Sequence, residues 1–247
     1  MFFLEDNKNS RLIILAIFVL MALRHFTQTD LVALILTLPS VLIAITFHEY
    51  AHAWAATKLG DDTPERQGRL NLNPLSHIDP VGFVLLLFAG FGWGKPVQIN
   101  PRNFYGKYSM ETGEAIVSAA GPLMNFILAI VFAIINYIVI KFAPVTFTVS
   151  ELGFVITGVI NYTIITNIGL GIFNLIPLPP LDGSKIFRKF LPYNAKVWID
   201  KYENVFYFIF LAIWITGIAG IIITPIIKVI YGWLMTGIAI LFGFKIT

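Results

Sequence analysis

The chain has 247 residues and no cysteine, which excludes disulfides, thiolate metal sites and cysteine nucleophiles. Apolar residues make up 57% and charged residues only 13%, about half the charge of an ordinary soluble domain. The net charge of +3 is no nucleic-acid footprint in such a chain, because excess Lys and Arg in a membrane protein marks cytoplasmic loops.

A helical membrane span needs about 20 consecutive apolar residues. The first apolar run, residues 12–23, lies between Arg11 and Arg24. It resembles a signal-peptide core, yet no small-x-small cleavage site follows it, so it is read as a short first span. The second run begins at residue 31 and continues helically to Gly60, a C-terminal stop. Residues 81–91 are apolar over eleven positions, too few to span, and the following Gly92-Trp93-Gly94-Lys95-Pro96 breaks any helix. This stretch is expected to re-enter and turn back. Polar and apolar residues alternate over residues 69–73 and again over 96–100, which predicts two short strands. Further spans follow at 115–140, 152–176, 205–223 and 226–242, with Pro225 expected to separate the last two as a hairpin.

These elements predict an α-helical polytopic membrane protein. It has about six transmembrane helices and a small membrane-associated β-sheet and re-entrant segment between the second and third spans. Residues 1–30 form an amino-terminal span and short loop, and residues 31–203 the membrane core, with spans 31–59, 115–140 and 152–176 and a re-entrant and strand region at 68–101. Residues 204–247 form a carboxy-terminal helical hairpin. If residues 81–91 turn back, the loops on one side carry Lys58, Arg66, Arg69, Lys95, Arg102, Lys107, Lys185, Arg188, Lys189, Lys196 and Lys201. The other side keeps Arg24, Lys141 and Lys228, and the imbalance obeys the positive-inside rule.

Ionisable side chains inside spans are functional candidates by default. The second span ends in His48-Glu49-Tyr50-Ala51-His52. Residues four apart share one helix face, so both imidazoles reach one metal, and Glu49 lies about 100° round, near a water on that metal. This is the H-E-x-x-H arrangement of two zinc ligands and a general base. Two interfacial histidines that merely tolerate headgroups would leave Glu49 uncompensated. A catalytic zinc takes three protein ligands and keeps one position open. His25 and His77 are the only other histidines, and Asp182 is the more attractive third ligand. An isolated Pro-Pro-Leu-Asp-Gly would ordinarily be a turn. Here it breaks an apolar span, where irregular backbone is tolerated only if buried or lining a cavity.

The chain resembles the site-2 protease family of intramembrane zinc metallopeptidases. The likeness rests on His48-Glu49-x-x-His52 at a span end, on Asn174…Pro177…Leu181-Asp182-Gly183, and on strands between two spans. Asn73-Pro74-Leu75-Ser76-His77-Ile78-Asp79-Pro80 and Gly121-Pro122-Leu123-Met124-Asn125 look like the compact bacterial and archaeal branch, which lacks the PDZ module of larger members. The resemblance implies that His48, His52 and Asp182 hold one zinc per chain, that Glu49 activates water, and that Asn174 helps stabilise the transition state. Asn167, on nearly the same face as Asn174, and Gly121 with Asn125 read as helix packing. Asn73, His77 and Asn100 are candidate substrate contacts, although His77 in its turn equally suits a loop hydrogen bond.

The function expected is hydrolysis of peptide bonds in or near transmembrane segments of other proteins. The expected setting is the cell membrane, with lipid as the surroundings, no nucleic-acid partner, and the site facing the cytoplasm. A metal or ion transporter and an inactive membrane scaffold are the rival readings. Transporters show inverted repeats and polar paths through several broken helices, of which no repeat is detectable here. Intact Glu49 and Asp182 speak against a scaffold.

Overall fold

In the computed structural model, the described residues are 31–89, 92–106 and 108–243. The expected span at 12–23 lies outside them. Four described helices are long and apolar enough to cross a membrane. They are α1 (Leu31–Lys58), α5 (Met110–Phe142), α7 (Glu151–Asn174) and α11 (Ile218–Leu241). Between α1 and α5 lie α2 (Thr63–Arg66), α3 (Pro74–His77), α4 (Pro80–Ala89) and a 3-10 turn at Pro101–Asn103. The remaining helices are α6 (Val145–Thr148), α8 (Asp182–Arg188), α9 (Tyr193–Lys201) and α10 (Glu203–Ile215).

Helices α1, α5 and α7 pack as an antiparallel trio. Small residues let their backbones approach, as lipid-embedded helices require: Ala44, Ala51, Ala53, Ala55 and Ala56 on α1, and Ala129 and Ala133 on α5, are all buried. Ala129, Ala133, Tyr137, Ile160, Ile164 and Ile168 form a core with Ile238 of α11, whereas Leu123, Ile127 and Ile130 remain exposed on the outer face of α5. Polar residues stitch the same seams. Thr163 Oγ1 donates to Ser40 Oγ (3.1 Å), and Ser40 Oγ to the Val159 carbonyl (3.2 Å). The end of α1, the start of α5 and the end of α7 therefore lie together at one end of the trio.

Three expectations change. First, of the five spans expected within the described residues four remain, because the fifth is α10, 13 residues long. At 1.5 Å per residue it reaches only about 20 Å. Second, the break between the last two helices falls at Gly217, whose φ of +76° is left-handed, while Pro225 sits inside α11. A proline deletes one helical donor without ending a membrane helix, whereas a left-handed residue turns the chain. Third, residues 69–73 and 96–100 are not strands. Among the described residues the only β pairing is one antiparallel bridge, Ile78 to Gly94.

The two extended segments are held by buried side chains in place of a ladder. Asp61 is wholly buried and accepts hydrogen bonds from the Asn100 N–H (2.6 Å), the Asn103 amide (2.9 Å) and the Thr63 N–H (3.1 Å). The apolar stretch expected to turn back is the ten-residue helix α4, too short to span. At the other side of the same end, Lys196 Nζ of α9 pairs with Glu111 of α5 at 2.7 Å.

Candidate active site

His48 and His52 lie one turn apart in the second half of α1, both buried against α5. Their faces meet α5 at Gly121. A Cβ there would stand 2.5 Å from His52 Nε2 and 2.6 Å from His48 Cε1, so only glycine admits the two rings. Four residues on, Asn125 is wholly buried. Its amide nitrogen donates to the Ala44 carbonyl (3.1 Å) and to Asn167 Oδ1 (2.9 Å), which leaves its oxygen facing His48 Nδ1 at 2.7 Å. Asn167 is anchored in turn by donating to the Thr163 carbonyl at 2.9 Å. His52 Nδ1 donates to the Val117 carbonyl at 2.7 Å. Both δ nitrogens are thus donors, and both ε nitrogens of the neutral rings carry bare lone pairs.

Asp182 opens α8, just past the turn that follows α7. Its position depends on Gly183, where a Cβ would lie 2.4 Å from the Leu175 and Ile176 carbonyl oxygens. That contact lets α8 press against the end of α7 and delivers the carboxylate to the imidazoles. Asp182 Oδ2 stands 3.1 Å from His48 Nε2 and 3.2 Å from His52 Nε2, and the two nitrogens are 3.0 Å apart.

The fit of a metal is testable on these atoms. Two lone pairs and a carboxylate oxygen crowded to 3.0–3.2 Å repel one another unless a cation lies among them. A tetrahedral zinc with N and O ligands at 2.0–2.1 Å separates its ligand atoms by about 3.3 Å. Among the described residues these three are the group that can hold a metal ion, and a His-His-Asp set leaves one coordination position open. The donor set fits zinc.

Glu49 faces the neighbouring loop. Its Oε2 accepts from the Val97 main-chain N–H at 3.0 Å, and its Oε1 points toward Gly94. The other candidates divide. Asn174 ends α7 and donates to the Leu170 carbonyl at 3.0 Å, within its own helix. Asn73 caps α3 by accepting from the Leu75 N–H, and Asn100 caps the 3-10 turn by accepting from the Arg102 N–H. His77 is wholly buried and donates through Nε2 to the Asn71 carbonyl at 2.7 Å. All three hold loops.

Sequence reasoning missed the support given by Asn125 and Asn167, read there as plain packing. The signal was present: an i,i+4 Gly–Asn pair on an apolar helix, where a buried amide needs a polar partner and the nearest span offers two histidines. Arg69, counted as a loop cation, is buried and donates from both terminal nitrogens to the Ser76 and Lys95 carbonyls.

The model of peptidase family M50 matches residues 36–217, which includes every element that builds this site. The chain is similar to "Putative zinc metalloprotease YwhC" of Bacillus subtilis (strain 168), 36% identical over 76% of this chain and 84% of the relative. It also matches "Putative zinc metalloprotease MJ0611" of Methanocaldococcus jannaschii, 27% identical over 76% of this chain and 86% of the relative. A third relative is "Putative zinc metalloprotease Rip2" of Mycolicibacterium smegmatis, 30% identical over 60% of this chain and 54% of the relative. No solved structure matches. With a His-His-Asp set at the end of apolar helices inside the matched region, the chain belongs to peptidase family M50 and is a multi-pass intramembrane zinc metalloprotease.

Proposed function

We propose that the chain cleaves peptide bonds in or near the transmembrane segments of other membrane proteins, with His48, His52 and Asp182 as the zinc ligands and Glu49 as general base. The observation that carries this reading is the convergence of His48 Nε2, His52 Nε2 and Asp182 Oδ2 within 3.2 Å at the end of a span. Zinc, when bound, supplies Lewis-acid chemistry, acidifying a water to a pKa of about 7 and polarising a carbonyl. Glu49 takes a proton from the attacking water and returns it to the departing amine. Its Oε2 is occupied by the Val97 N–H, so Oε1 is the oxygen that does this work. Asn174 has used one amide N–H on Leu170, and its second is proposed to donate to the oxygen on which charge develops.

The substrate helix must unwind before cleavage, because a helical carbonyl is hydrogen-bonded and covered. The site is proposed to face the cytoplasm from the cell membrane, since the basic loops adjoin the span ends that carry His48, His52 and Asp182. Asn73, His77 and Asn100 line the loop layer beside it and are proposed as substrate contacts only through the backbone they hold. The test compares membrane proteomes of cells carrying the wild-type chain or Glu49→Gln. Single-span proteins that accumulate intact only with the variant support the reading, and identical profiles contradict it.

A further inference from the structure

The general base sits on α1, but its carboxylate is held from a loop, and that loop needs something to fix it. Three features converge behind Glu49. Arg69 is 4% exposed, yet it lies in the extramembrane layer where a cation would ordinarily be solvated. Its two terminal nitrogens bind the carbonyls of Ser76 and Lys95, which belong to different segments. The Lys95 N–H donates back to the His77 carbonyl at 2.8 Å, next to the Ile78–Gly94 bridge. Residues 76–78 and 94–95 are thereby bracketed from both sides. Two residues beyond the bracket, the Val97 N–H binds Glu49 Oε2. At the near edge of the bracket, Gly94 keeps room open, since a Cβ there would lie 2.8 Å from Ile45 Cγ2 and 3.5 Å from Glu49 Oε1.

We infer that Arg69 is a positioning residue for the general base: by clamping the Lys95 carbonyl to the 76–78 turn, it sets the register that holds the Val97 N–H on Glu49 Oε2 and leaves Oε1 free. The inference rests on Glu49 being the base. A planar guanidinium suits the task because it spans two carbonyls with fixed geometry, which a lysine ammonium does not reproduce. The charge also suits the place. Burial disfavours the guanidinium's charge, and the Glu49 carboxylate is the neighbouring charge that favours it. The extended 94–100 segment, which has no strand partner among the described residues beyond that single bridge, is therefore a bracket for the base.

The experiment uses the full chain in lipid nanodiscs, with Arg69→Ala, Arg69→Lys, Val97→Pro and Glu49→Gln compared with wild type. Hydrogen exchange at the Lys95 and Val97 amides, which flank Pro96, reads the bracket without needing activity. Arg69→Ala is expected to speed exchange there about tenfold, the loss of roughly one hydrogen bond, with zinc content and exchange in α1 unchanged. On a single-span test polypeptide carrying Pro-Gly in its span, kcat is expected to fall about a hundredfold with KM unchanged, the effect of a misplaced catalytic group. Added guanidinium ion should restore part of that kcat to Arg69→Ala, and Arg69→Lys should restore less than arginine itself. Val97→Pro, which deletes the donor alone, should reproduce the kcat loss with Arg69 intact. Unchanged exchange at the Lys95 and Val97 amides in Arg69→Ala, or full kcat despite faster exchange, overturns the inference. Retained activity in Glu49→Gln instead overturns the reading of Glu49 as base and leaves the bracket itself to be judged on exchange.

Discussion

The Asn125 amide works in two directions, donating to α1 and α7 while presenting its oxygen to His48. Partners of this kind orient metal-binding imidazoles and raise their basicity, and losing one lowers metal affinity about 10–100-fold. Asn125→Ala is therefore expected to weaken zinc binding by that factor, read by chelator competition, and unchanged affinity would remove Asn125 from the site. Asp61 is the corresponding hub of the loop layer. Burial opposes its charge, but hydrogen bonds from Thr63, Asn100 and Asn103 hold its carboxyl below the usual carboxylate range. A depressed folded value contributes stability that is present above the usual value of about 3.9 and is lost as pH falls through the folded value. Asp61→Asn should lower Tm near neutrality, and the gap to wild type should close as pH falls below about 4. A gap that persists in acid contradicts this assignment.

At the scale of elements, the Asp182 carboxylate is delivered by one close approach, α8 against the end of α7 at Gly183. Gly183→Ala puts a Cβ on two carbonyl oxygens, so α8 must shift outward. The protein should remain inserted but lose zinc, measured by metal analysis of the purified variant, and full occupancy would show that the approach is dispensable. Elements were legible in the sequence where hydrophobic length alone decides them. Helices α1, α5 and α7 follow their apolar runs to within a few residues, and H-E-x-x-H declared its shared face because helical spacing is fixed. The strands were misread because alternation of residue types reports neither burial nor backbone pairing by itself. Arg69 is a polar residue that is buried, Leu72 an apolar one that is exposed, and the alternating residue types mimic a sheet that does not form among the described residues. The hairpin break was misplaced for a related reason: proline is the louder signal in sequence, but a left-handed φ at Gly217 turns the chain. Gly217→Ala is accordingly expected to cost about 1–2 kcal/mol, whereas Pro225→Ala should be nearly silent.

At the scale of the whole molecule, one end of the α1–α5–α7 trio carries everything reactive, and the other carries almost no charge. The ligands come from one span and one turn that are distant in sequence. No single motif contains the site, and Asp182 could be joined to His48 and His52 only by the break it makes in an apolar run. The orientation reading can be tested cleanly because the chain has no native cysteine. Single cysteines introduced beside Lys58 and Lys196 should resist an impermeant maleimide added outside intact cells, and labelling of either from outside contradicts a cytoplasmic site. The central claim is that three side chains hold zinc while a fourth moves protons, and metal content measured beside cleavage in purified Glu49→Gln and Asp182→Ala separates those roles. Glu49→Gln is predicted to keep one zinc per chain and lose cleavage, and Asp182→Ala to lose both; full zinc in Asp182→Ala, or cleavage by Glu49→Gln, would contradict the account.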